Sequence, residues 1–471
     1  MATVDKSTFD LVVLGGGTAG MSSARTALRL KRSVAMIQDG PVGGDCTFTG
    51  CVPSKSLIES AHRGLSFADS MIFVQKTIAK IAATETAEVL ASEGVSVIQG
   101  RGVFSSRNTL SVAGRSVAFR HAVIATGTHP SLPPIPGLRD VAFLTNETFF
   151  DLRDPPGALG IIGGGPIGCE LAQATAELGV DVTILEAAPR LLVREEPEAS
   201  VVIERALSES GVELRVGAEI LSVATTPDST IAVALGSGEV LRFTHLLIAT
   251  GRGANTGDLG LQNTKVRLDK RGFIAVNKNL RSTDSNIFAA GDVVGNLAFT
   301  HVADEMGRIA ARNALIRIAK SRFDPSCIPW VTFTRPEVAR VGILESEASG
   351  GSFKMAYVPM ADSDRAITAD STLGFVKLIA GPKRVIGHLG GGRVVGSTIV
   401  AERAGEMIQE VALACRSRLF VARIAQTVHA YPTWSTVIRQ AAAQFFFEVE
   451  GRKAYRVQSP LGEPKVPKTL A

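Results

Sequence analysis

An α/β chain that uses one strand–turn–helix–strand unit twice and closes with an α+β segment is what the sequence predicts, on three observations. Short apolar runs end in glycine triplets at two places, and a helical pattern follows each. In both copies the next apolar run closes 23 positions after the first glycine, at Gln38 and at Glu186. Beyond residue 335 the pattern changes to strand-like runs and two amphipathic helices.

Length supports the division, because 471 residues exceed what one hydrophobic core holds and imply two or three domains. Apolar content of 45% and charged content of 20% suit a globular protein. The net charge of +5 is small, and no basic block precedes the last twenty residues, which disfavours a nucleic acid partner. No apolar stretch is long enough to span a membrane, and the N-terminal residues lack a signal-peptide layout. A cytoplasmic protein is expected. Five cysteines do not make a disulfide framework. Cys46 and Cys51 sit five positions apart between glycines, which points to redox chemistry or metal binding. Cys169, Cys327 and Cys415 are scattered and expected to be packed and inert.

The first unit runs from the strand Phe9–Leu14 through Gly15-Gly16-Gly17-Thr18-Ala19-Gly20 to a helical pattern and the strand Val34–Ile37. Gly15 permits the tight turn, Gly17 lets backbone approach a pyrophosphate, and Gly20 lets helix pack on strand. The helix start adds unpaired N–H groups and partial positive charge. The second unit repeats this with Leu159–Ile162, Gly163, Gly165 and Gly168, a helix through Leu178 and the strand Val182–Leu185. Two Rossmann-like dinucleotide sites follow. At the end of the second strand a carboxylate ordinarily holds the ribose hydroxyls. Glu186 fits and would repel a 2′-phosphate, favouring NADH; Arg190 and Arg194 downstream keep NADPH open. Gln38 keeps an acceptor carbonyl without the charge. Ala125-Thr126-Gly127 and Ala249-Thr250-Gly251 end two further apolar strands. Asn286–Ala289 reads as a strand running into Gly291-Asp292, where the aspartate can accept from a ribityl hydroxyl or cap a helix.

Directly after the first unit stands Gly43-Gly44-Asp45-Cys46-Thr47-Phe48-Thr49-Gly50-Cys51-Val52-Pro53-Ser54-Lys55. With the paired glycine turns and Gly291-Asp292, this resembles the class I flavoprotein disulfide oxidoreductases, the group that includes dihydrolipoamide dehydrogenase, glutathione reductase and mercuric reductase. The resemblance implies FAD at the first turn and NADH, with NADPH possible, at the second. It implies cofactor contacts at Gly44, Lys55, Thr126, Gly127, Gly251, Arg252, Gly291 and Asp292 as well. It makes Cys51 the flavin-side sulfur and Cys46 the outer interchange thiol, fed by hydride from the nicotinamide through the flavin. Lys55 is similar to the family lysine that pairs with a glutamate near the flavin, and Glu170 is similar to that glutamate.

Near the C-terminus, His429-Ala430-Tyr431-Pro432-Thr433-Trp434-Ser435-Thr436 resembles the segment that normally brings a histidine and a glutamate to the partner's active site. Tyr431 and Thr436 occupy those places, and a phenol near pKa 10 is a poor acid–base group at neutrality. His429 could substitute in part or be structural. The tyrosine is similar to mercuric reductases and soluble transhydrogenases, yet the tail Gly451–Ala471 holds no cysteine pair to deliver metal. The expected division is an FAD-binding part at 1–148 and 273–335, a nicotinamide part at 149–272, and a dimerisation part at 336–471 with strands Phe375–Ile379 and Arg393–Val400 and helices Gly405–Cys415 and Val437–Val449. A homodimer without a bound metal is implied, acting on a disulfide or soft-metal acceptor. A flavin-direct quinone reductase and a non-catalytic redox sensor are the rivals.

Overall fold

A computed structural model describes residues 8–295, 297–348, 352–383 and 387–457. The tail beyond residue 457, expected to lack a metal-delivering cysteine pair, lies outside the described residues. The chain divides into two compact units. The first holds residues 1–133, 144–154 and 250–324; the second holds 134–143, 155–249 and 325–471.

In the first unit, the strands Ser96–Gln99, Val34–Gln38, Phe9–Leu14 and Arg115–Ile124 lie side by side and parallel. Ile287–Ala289 adds to the last of them, also in parallel. Leu11 to Leu14 and Val34 to Ile37 are buried, as continuous apolar runs in a sheet covered on both faces should be. The register aligns the strand ends: Leu14 faces both Ile37 and Ile124, and Ile124 faces Ala289. The first glycine turn, Ala125–Gly127 and Gly291-Asp292 therefore emerge along one carboxyl edge, where open α/β sheets bind ligands. Helix Thr18–Arg29 packs on helix Thr300–Leu315 through small residues, with the Ser23 hydroxyl donating to Ala19 O at 2.8 Å and Gly307 O at 3.1 Å. That packing fixes the start of the later helix at Thr300.

The second unit contains the parallel sheet Val212–Val216, Asp181–Glu186, Ala158–Ile162 and His245–Ile248. Its C-terminal part is a six-stranded antiparallel sheet in which Phe375–Gly381 and Arg393–Ala401 are central. Helices Ala404–Arg416 and Thr436–Ala443 cover one face, burying Val376, Leu378 and Ala380 against Met407, Ile408 and Ile438. Alternation sends Lys377 to the opposite face. There it is fully buried and meets Glu196, Glu198 and Glu345 at 3.2, 2.9 and 2.7 Å. Burial alone would lower its pKa, but the three carboxylates outweigh that and raise it.

Two expectations need correction. The last helix ends at Ala443 and does not reach Val449. Gln444 spends its amide on Tyr357, accepting from its N–H at 3.3 Å and donating to its carbonyl at 3.0 Å, while its own carbonyl takes the Ala454 N–H. Cys327 and Cys415 are not scattered either: their sulfurs stand 2.6 Å apart. Cys169 is buried as expected, its thiol donating to Gly164 O at 3.4 Å and pushed up by burial.

Candidate functional site

The cysteine segment opens with a short helix, Gly44–Phe48, and continues through Gly50 into helix Cys51–His62. Gly44 must be bare, because a Cβ there would stand 2.9 Å from Gly17 Cα. Cys51 occupies the first turn of the longer helix and is exposed; Cys46 is half-buried beside it. The Cys46 thiol hydrogen-bonds to Cys51. That bond, burial and the field of Cys51 push Cys46 well above the usual cysteine range, against a lowering pull from the Thr300 hydroxyl. Thr300 Oγ1 lies 3.4 Å from the Cys51 sulfur. A helix start stands behind Cys51 and favours negative charge there.

Asp45 would oppose a thiolate if its charge were unmatched. The structure matches it with Arg252, whose guanidinium pairs with the Asp45 carboxylate. Arg252 is held in turn by Thr128, donating to its Oγ1 at 2.6 Å and its carbonyl at 3.0 Å. Thr126 and Asn255 exchange hydrogen bonds of 2.7 and 2.9 Å, tying the Ala125–Gly127 turn to the strand Arg252–Ala254. Asp292 follows the positive-φ Gly291 and accepts from Thr128 Oγ1 at 3.4 Å. Burial raises its carboxyl, while Arg252 lowers it. Lys55 Nζ donates to Ser54 Oγ at 3.3 Å. An open cleft of about 400 Å³ runs along this helix, lined by Cys51, Lys55, Ser56, Glu59 and Phe73 among others.

The glycine turns show what each glycine does. Gly15 and Gly163 adopt φ of +104° and +115°, which side chains rarely tolerate. A Cβ on Gly20 would meet Gly15 O at 1.9 Å, and one on Gly168 would meet Gly163 O at 1.9 Å. The third glycine therefore clears the carbonyl of the first before it clears any strand. At Gly165 a Cβ would meet nothing within 4 Å, and at Gly17 nothing nearer than Gly44 Cα at 3.9 Å. These middle glycines head their helices with backbone facing open space, a fit for a pyrophosphate. Gln38 and Glu186 both reach back to the turn, accepting from Gly16 N at 2.5 Å and Gly164 N at 2.6 Å.

In the second unit, Glu170 Oε1 accepts from Phe333 N at 2.9 Å. His429 is held on both sides, Nδ1 against Thr427 O at 3.0 Å and Nε2 against the Glu410 carboxylate at 3.0 and 3.1 Å. Tyr431 is exposed and donates to Asp364 Oδ2 at 2.8 Å, a bond that raises its pKa further from neutrality. Thr436 Oγ1 is turned to the Thr433 carbonyl. Sequence reasoning missed Thr300, Thr128, Asn255 and the role of Arg252 toward Asp45. Each lies far along the chain from its partner and belongs to no local pattern.

Comparison with known proteins gives concordant results. Residues 9–307 match the family described as pyridine nucleotide-disulphide oxidoreductase, and residues 328–442 match its dimerisation domain. A mercuric reductase from Streptomyces lividans is 33% identical, over 94% of this chain and 97% of that protein. One from Bacillus cereus is also 33% identical, over 93% of this chain and 71% of that protein. A dihydrolipoyl dehydrogenase from Staphylococcus aureus is 32% identical, over 92% and 96%. Among solved structures, a Cu(II) complex of the HOCl-induced flavoprotein disulfide reductase RclA from Escherichia coli aligns with a TM-score of 0.85 at 28% identity, covering 93% of this chain and 99% of that one. LpdA from Mycobacterium tuberculosis aligns with a TM-score of 0.83 at 30% identity, covering 93% and 99%.

Proposed function

The chain belongs to the pyridine nucleotide-disulphide oxidoreductase family, and from that premise we propose that it reduces a small disulfide or soft-metal acceptor at Cys46 and Cys51 with electrons from NADH. It is an oxidoreductase that uses FAD and NAD(P)H. FAD, when bound, supplies the two-electron relay between nicotinamide and sulfur. In our reading the turn Gly15–Gly20, with Gly44, Thr126, Gly127, Gly291 and Asp292, holds FAD, and the turn Gly163–Gly168 with Glu186 and Gly251 holds the nicotinamide nucleotide. Lys55 and Glu170 keep the roles that the family resemblance assigns. The boundaries are proposed as 1–148 with 273–335, 149–272 and 336–471, the last making a homodimer. A reducing cytoplasm suits a cysteine pair that must open and close in turnover.

One observation carries the reading: Cys51 heads a helix with Cys46 beside it, and its sulfur lies 3.4 Å from the Thr300 hydroxyl. Cys51 is placed to hold charge, and Cys46 to hold the proton until an acceptor arrives. Between acceptors, the C-terminal segment favours a soft metal ion. His429 is bound on both nitrogens, and the Tyr431 phenol is tied to Asp364. Neither presents a free imidazole to protonate a leaving thiolate, a step that metal reduction does not need. The mercuric reductase relatives and the copper-bound RclA support the same choice.

Cys46→Ser tests the proposal. Turnover of mercuric ion and of a model disulfide should fall by at least about a hundredfold, while quinone reduction by NADH persists. Unchanged turnover with both acceptors would instead select the flavin-direct quinone reductase. A second measurement follows from the raised Cys46 pKa. Its alkylation in the reduced protein should climb about tenfold per pH unit from roughly pH 6 to 9, because only the thiolate reacts and its fraction is far from saturation. A plateau near pH 6, read by peptide mapping, would contradict the proton assignment.

A further inference from the structure

Cys327 and Cys415 lie 88 positions apart in the chain, yet their sulfurs stand 2.6 Å from one another. Cys327 ends the 3₁₀ turn Pro325–Cys327, and Cys415 sits in the last turn of helix Ala404–Arg416. Cys415 is part of the buried core, while Cys327 packs against that core and is half-buried. Two sulfurs sharing a tetrahedral metal ion at about 2.3 Å each would stand roughly 3.8 Å apart. The two sulfurs are instead near enough for a disulfide to form with a small shift of either side chain.

We propose that Cys327 and Cys415 form a second dithiol–disulfide couple, distinct from Cys46 and Cys51 and closed by a hydroperoxide oxidant. Cys327 is the more accessible sulfur and reacts first. Its thiolate attacks a peroxide oxygen, the O–O bond breaks, and hydroxide leaves to take up the thiol proton as water. Cys415 then attacks the sulfenic sulfur; the S–O bond breaks, the S–S bond forms, and a second water departs with the Cys415 proton. Two thiols and one hydrogen peroxide give one disulfide and two waters, the sulfurs losing the two electrons that the peroxide gains. The link clasps the turn Pro325–Cys327 to the helix that carries Glu410, the residue holding His429. Closing so long a loop restrains the unfolded chain.

The test uses the full-length flavin-loaded protein, treated with hydrogen peroxide, then denatured and alkylated without reductant. Of the five cysteines, only Cys169 should remain alkylatable after oxidation. Subsequent NADH should release Cys46 and Cys51 alone, and dithiothreitol should release all five. Peptide mapping should show Cys327 joined to Cys415. Cys327→Ser should leave Cys415 alkylatable after peroxide, with turnover unchanged, and should remove an oxidation-dependent rise in thermal midpoint of about 5 °C. Should that variant fold poorly, the wild-type peptide map decides alone. If Cys327 and Cys415 both stay alkylatable while the 46–51 link forms, the proposal is overturned; it is equally overturned if NADH opens the 327–415 link as readily as the 46–51 link.

Discussion

The two glycine turns are near copies in backbone and differ in the side chain that closes them. Gln38 and Glu186 each give one oxygen to the N–H of the second residue of the turn, at 2.5 and 2.6 Å. Their other ends diverge. Gln38 Nε2 donates to the carbonyls of Asp39 and Pro41, at 3.1 and 2.9 Å. Glu186 Oε1 instead accepts from Ala188 N at 2.7 Å. The loop after each strand decides which residue fits: one presents carbonyls and needs a donor, the other presents an N–H and needs an acceptor. Gln38 is therefore no weakened glutamate. Its amide completes a hydrogen-bond pattern that a carboxylate would break.

The largest expected effect separates the turns by ligand. Gly20→Ala and Gly168→Ala each drive a Cβ to 1.9 Å from a backbone carbonyl, a clash that only movement of the turn relieves. Gly20→Ala should yield protein purified without its yellow colour. Gly168→Ala should keep the flavin but lower kcat/KM for NADH by about a hundredfold, since a displacement near 1 Å is worth that much. Absorbance and steady-state kinetics read both. Flavin loss from Gly168→Ala together with flavin retention in Gly20→Ala would reverse the assignment.

How much of this was visible in the chain alone depends on distance along it. The turns were legible because strand, glycines and helix sit within some two dozen residues and each glycine has a local reason. The cysteine segment was legible for the same reason, as were the departures at Tyr431 and Thr436. What escaped was long-range pairing. Asp45 is a charge next to Cys46 in the sequence, and its partner Arg252 comes from 207 residues away. Thr300 reaches Cys51 across 249 residues. Lys377 lies in the expected strand Phe375–Ile379, and only the alternation of a fully buried strand turns it toward three glutamates. Helix ends are fixed by such contacts too, which is why Gln444 stops a helix that its own sequence would continue.

Exchanging the closing residues sharpens the comparison. Gln38→Glu keeps the acceptor for Gly16 N but turns a carboxylate oxygen toward two carbonyls that now lack a donor. Leaving such groups unmet costs about 1–3 kcal/mol. The variant should lose thermal stability and release FAD more readily on dilution, followed by the recovery of free flavin fluorescence. Equal or better flavin retention would mean that the Asp39 and Pro41 contacts do not govern the choice of residue at position 38.

The reciprocal change, Glu186→Gln, has the smaller effect and tests nucleotide choice. A carboxylate beside the ribose repels a 2′-phosphate, and an amide does not. Partial exposure of Glu186 screens the charge, so the term removed is near 1.4 kcal/mol, about tenfold in relative affinity. The ratio of kcat/KM for NADPH to that for NADH should rise by about that factor, chiefly through a lower KM for NADPH. The amide also places a donor against Ala188 N, so affinity for NADH should fall slightly. An unchanged ratio would shift the discrimination from Glu186 to Arg190 or Arg194. Arg190 is already engaged, donating to Ser200 Oγ at 2.6 Å and to the carbonyls of Leu192, Val193 and Glu195 at 3.2, 2.9 and 3.1 Å. Its donors hold the following loop, so Arg194 is the residue to replace next, and Glu186→Gln combined with Arg194→Ala would show which charge sets the preference.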